Sequence, residues 1–132
     1  MNECFDRILT KIAKYLNNNG YPDLKVTSLY FDVPPTLPHV SITQVTDSVK
    51  TNTLNLDSTH FNVSFQIDIY SNSPTNKVAE INDIAEKINN VMSEIHFIRV
   101  ANQFINNAEP TIARKMIRYR RRTITKQEIE EI

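Results

Sequence analysis

The residues best suited to chemistry stand near the end of the chain, in Met116-Ile-Arg-Tyr-Arg-Arg-Arg-Thr-Ile124. Strand alternation sets Arg118, Arg120 and Arg122 on one face and Ile117, Tyr119 and Arg121 on the other. Three guanidinium groups at intervals of about 6.6 Å form a positive stripe. Such a stripe holds phosphates or a partner's carboxylates. Tyr119 falls on the opposite face, so it does not interleave with the arginines as a base-stacking platform requires. The plainer role for the same segment is a charged edge strand that discourages unwanted sheet pairing.

Other reactive side chains are scattered. His39, His60 and His96 show none of the spacings of a metal site, and each reads as a boundary residue of a strand or helix. Asp68 stands on the polar face of a strand between Gln66 and Tyr70. It reads as a solvated side chain, because no second carboxylate at fixed spacing supplies the divergent pKa values that acid–base work needs. The single cysteine, Cys4, excludes an intrachain disulfide and reads as a small buried apolar residue. No serine stands in a nucleophile elbow, and with one glycine in the chain a phosphate-cradling loop is excluded. The expectation is a protein without catalytic residues, metal or cofactor.

Net charge is zero but segregated. Residues 1–113 hold eight basic and twelve acidic groups, whereas residues 114–126 hold seven basic groups and no acid. Glu128, Glu130 and Glu131 then follow. This distribution makes an electrically polarised surface. No apolar run approaches the ~18 residues of a membrane helix, and the first residues lack a signal-peptide layout, so the expectation is a soluble protein made in a cytoplasm.

The elements that must position these groups follow from periodicity. Phe61, Val63, Phe65, Ile67 and Ile69 alternate with Asn62, Ser64, Gln66 and Asp68, which predicts a half-buried strand over 61–71. The period then changes to three and four at Val78, Ile81, Ala85, Ile88, Met92 and Ile95, predicting a helix over 75–95 with Ser73 as N-cap and Pro74 at its first position. A first helix is predicted over 3–16, with Phe5, Ile8, Leu9, Ile12 and Leu16 on one face and Gly20 as a left-handed cap. Strands are predicted at Lys25–Phe31 and His39–Val45, with a short one at Phe97–Val100 and a last one at Ile112–Ile124. The prolines of Val33-Pro-Pro-Thr-Leu-Pro38 keep that connector out of a sheet. Residues 46–59 form a long polar excursion, read as a protruding hairpin, with Val49, Leu54 and Leu56 as apolar anchors for an interaction. The predicted fold is α+β: a mainly antiparallel sheet of four to five strands with two helices packed on one face. One domain spans 1–125, and residues 126–132 form a tail, either a short helix or disordered.

Taken together, the segments resemble the tail terminator proteins of long-tailed bacteriophages, also called tail-completion or tail-to-head joining proteins. The carrying residues are Val33-Pro-Pro-Thr-Leu-Pro-His-Val-Ser-Ile, then Val63-Ser-Phe-Gln-Ile-Asp-Ile-Tyr-Ser, then Lys77-Val-Ala-Glu-Ile-Asn-Asp-Ile-Ala-Glu-Lys-Ile, and finally Ile117-Arg-Tyr-Arg-Arg-Arg. The resemblance covers nearly the whole chain and consists of patterns of residue type and order. It implies a structural virion protein at the tail–neck junction: a ring, commonly a hexamer, that caps the tail tube and docks the neck or head-completion protein. DNA would pass through the ring without specific recognition. In that setting Arg118, Arg120, Arg121 and Arg122 would meet a neighbouring subunit or the tube, or line the channel. Two other readings remain: a nucleic-acid-binding module using the 114–126 segment, against which zero net charge speaks, and another neck or sheath-capping component of the same kind of particle.

Overall fold

A computed structural model describes residues 2–28, 34–51, 60–106 and 109–132. The alternating segment around Phe65 forms the middle of a five-stranded sheet. Its strands are β1 (Lys25–Thr27), β2 (His39–Thr51), β3 (His60–Ser71), β4 (Ile98–Ile105) and β5 (Ala113–Thr125), in the order β1-β2-β3-β5-β4. Every neighbouring pair is antiparallel except β1 and β2, which run parallel for three residues. The helices are α1 (Asn2–Asn18), α2 (Lys77–Glu94) and a short α3 (Lys126–Glu130). The fold is α+β, as the periodicities predict, with the sheet mostly antiparallel.

The core lies between one face of the sheet and the first two helices. Val63, Phe65, Ile67 and Ile69 of β3 are buried there with Val40 and Ile42 of β2 and Ile117, Tyr119 and Ile124 of β5. From α1, Cys4, Ile8, Ile12 and Leu16 recur every four residues and are fully buried. Gly20, at φ +104°, lets the chain turn while the Tyr21 amide donates to the Leu16 carbonyl at 3.1 Å. Phe65 is the hinge of this packing, with its ring centroid 5.8 Å from both Phe5 and Phe97.

Several expected boundaries differ. α2 begins at Lys77 rather than 75, and its N-cap is Asn76, which makes no side-chain capping bond. Pro74 lies in the preceding turn. Ser73 does not cap the helix: its hydroxyl donates to the Asn76 side chain, while the Ser71 hydroxyl donates to Glu80 at 2.6 Å. With the start displaced, the buried stripe begins at Ile81 and Val78 is half exposed. β4 is twice the expected length, because almost all of its residues are exposed and burial leaves no alternation to read. β2 continues to Thr51, so residues 46–51 of the expected excursion are strand, paired with residues 60–64 of β3. The ladder between β3 and β5 also reaches His60 and Thr125, so this end is a three-stranded extension of the sheet. Val49 lies in β2 opposite Phe61. Leu54 and Leu56 lie outside the described residues, as does the end expected for the first strand, near Phe31. The 126–132 segment is helical at its start: Thr125 and Glu128 form a reciprocal capping box and Ile129 is buried.

Candidate functional site

The arginine segment is β5, whose parity is decided by its neighbours. Tyr119 stands opposite Phe65 and Ile117 opposite Ile67, so both face the core. Burial pushes the Tyr119 phenol up to about 12, and its hydroxyl donates to Asn89 of α2 at 3.1 Å. Arg118 therefore faces away from the helices, opposite Gln66, with Arg120 one step on, opposite Ser64. Past Arg121 the ladder slips by one residue, and Arg122, exposed, lies within that irregularity.

Arg121 points the other way. It donates to the Ile95 carbonyl at 2.8 Å and pairs with Glu128, linking the end of α2, β5 and α3. Burial pushes the Glu128 carboxyl up, but the Thr125 amide and hydroxyl and the Arg121 guanidinium outweigh it and leave the group below its ordinary range. Of the four candidate arginines, the structure thus brings Arg118, Arg120 and Arg122 to accessible positions and uses Arg121 inside the chain.

The same outer face contains a buried ionic centre where the sequence suggests a wet surface. Asp68 is 1% exposed. Its Oδ1 accepts from Nε and Nη2 of Arg114, each at 3.0 Å, and its Oδ2 accepts from the Gln66 amide at 3.1 Å. Gln66 in turn accepts from Nε of Arg118 at 3.1 Å, so Arg118 is oriented by a relay that starts at the buried carboxylate. The Arg114 guanidinium lies 5.6 Å from the Tyr70 ring centroid, and Tyr70 is itself fully buried. His39 completes the row beside Tyr70, with Nε2 3.0 Å from the Thr27 hydroxyl, and burial lowers its pKa. The solvated reading of Asp68 is therefore corrected: a full counter-charge across the strand pair is what allows a carboxylate to be buried here. Periodicity could not show this, since it reports a polar face and not which polar residues face each other.

On the helix side, Lys115 donates to Asn82 at 3.0 Å and lies 5.2 Å from the Phe104 ring centroid. Its pKa is lowered by burial and by Arg99 nearby. Among the described residues, no three His, Cys, Asp or Glu side chains converge as metal ligands. No helix among them is long and apolar enough to cross a membrane. The arrangement is one of fixed charges on a sheet face, suited to holding an anionic or carboxylate-bearing surface.

Comparison with known proteins adds little to this. No family model matches the chain, and no curated protein matches it. Among solved structures, a chain from the virion of a native gene transfer agent (GTA) particle is similar, with a TM-score of 0.48 and 8% identity over 85% of this chain and 90% of that one. A likeness at this level does not assign a function.

Proposed function

We propose that this chain is a structural virion protein that assembles as a ring, caps a phage-type tail tube and joins it to the neck. Its partners would be further copies of itself, the tube protein and the head-completion protein. The observation that carries the reading is the basic outer sheet face, where Arg118 and Arg120 are held out by their strand while the helix-covered face makes the core. Their role is to pair carboxylates on a neighbouring subunit or on the tube. The resemblance of the segments to tail terminators supports the same reading, and a ring follows when such a heterologous contact closes by rotation.

Native mass spectrometry of the purified chain, alone and with tail tubes, tests it. A closed oligomer that binds tube ends is expected. A chain that stays monomeric at every concentration and ignores tubes overturns the proposal. Intact rings whose arginine variants change only DNA retention or ejection would place the arginines in the channel.

A further inference from the structure

Among the described residues the sheet has two open edges. One is β4, which pairs with β5 on one side only. The other is β2 beyond Ser41, because β1 covers only His39, Val40 and Ser41 among the described residues. Soluble proteins usually blunt such edges with charge or proline. These edges carry exposed apolar side chains beside their charges, Arg99 in β4 and Asp47 and Lys50 in β2. Among the described residues the exposed large apolar side chains are Val45, Val78, Ile98, Val100 and Phe104, and all but Val78 lie on the two edges. The edges also correspond in form. The β2–β3 ladder is irregular between Gln44 and Thr46, and again between Val49 and Thr51, and the β4–β5 ladder between Arg99 and Ala101; the residue passed over at the first and last of these is a valine, 47% exposed.

We infer that β4 of one copy pairs, in the next copy, with the stretch of β2 that no other described strand covers on its outer side, Ile42–Thr51, so that the sheet runs on from subunit to subunit. This rests on the self-assembly proposed above and names the surfaces that carry it. Strand direction alternates along β2, β3, β5 and β4. A copy related by rotation about an axis along the strands therefore brings its β2 antiparallel to β4, the commoner and slightly more stable pairing. The row of amides and carbonyls along an edge matches an extended backbone, which can pair with it as a further strand. The two edges are different surfaces on opposite sides of one sheet, so the contact is head to tail and leaves neither edge unused in a closed ring.

Two variants test this on the full chain: Ile98→Lys with Phe104→Lys on the β4 edge, and Val45→Lys on the β2 edge. These side chains are close to half exposed or more, so both variants should stay folded. The parent is expected to assemble and each variant to stay monomeric. Mixing the two should give a 1:1 heterodimer and nothing larger, because each contributes one intact edge. In parallel, amide hydrogen exchange of the parent should show β4 gaining protection at assembling concentrations. If either variant assembles as the parent does, if the mixture stays monomeric, or if β4 protection is unchanged on assembly, the edge pairing is wrong while the ring stands. A parent that never assembles instead removes the ring reading itself.

Discussion

Asp68 and Arg114 meet on the side of the sheet away from the helices, Nε and Nη2 of the arginine each 3.0 Å from the same carboxylate oxygen. With side-chain exposures of 10% for Arg114 and 1% for Asp68, neither charge has much water in reserve. Removing one partner strands the other.

Asp68→Ala should therefore cost about 3–5 kcal/mol, the usual penalty for orphaning a buried charge. Urea denaturation of the single variants and of Asp68→Leu with Arg114→Met checks this. The apolar pair should recover most of the loss, because the penalty comes from the unpaired charge. Equal losses in all three would show that the ion pair is not the reason.

Phe65→Ala should cost about 3–5 kcal/mol. The side chain is fully buried and packs on Phe5 from α1 and on Phe97 after α2, so the cavity opens where three elements meet. A thermal melt unchanged from the parent's would contradict that packing.

Glu128 makes stability depend on pH through the α3 junction. Its folded-state pKa is depressed from 4.5, so the unfolded chain takes up the proton first as pH falls. The contribution is present above 4.5 and is lost as pH drops through the lowered folded-state value. Glu128→Gln should be less stable than the parent at pH 7, and the gap should narrow in acid. A gap that is constant down to pH 3 would remove Glu128 from the account.

Arg120→Glu should weaken self-assembly, and what assembly remains should respond differently to salt, since an exposed ion pair is screened within about 8 Å at physiological ionic strength. Sedimentation at low and high salt reads both effects. Assembly identical to the parent's at all salt concentrations would leave Arg120 without an intersubunit role.

Elements with one buried face were legible before the structure. The alternation of Val63 to Ile69 and the four-residue spacing of Ile8, Ile12 and Leu16 each predict the burial that is found. The parity of β5 was legible too, because Ile117 and Tyr119 are large enough to mark the core side. What escaped is structure that burial does not write into residue type. β4 and the far half of β2 are joined to the sheet by backbone ladders, and their composition carries no period. The Asp68–Arg114 pair joins residues 46 positions apart, and only the register of β3 on β5 brings them diagonally across from each other. Arg121 broke from the other arginines in use because a glutamate seven residues later folds back onto it.

Cys4 is the only thiol in the chain and is sealed completely beneath α1. A thiol reagent can reach it only when that helix lifts from the sheet, so labelling kinetics would time a motion that equilibrium melts average away. Because α1 also touches the chain's other end, with Arg7 donating to the Glu130 carbonyl at 3.0 Å, the same stopwatch would sense whether loosening α3 frees the first helix.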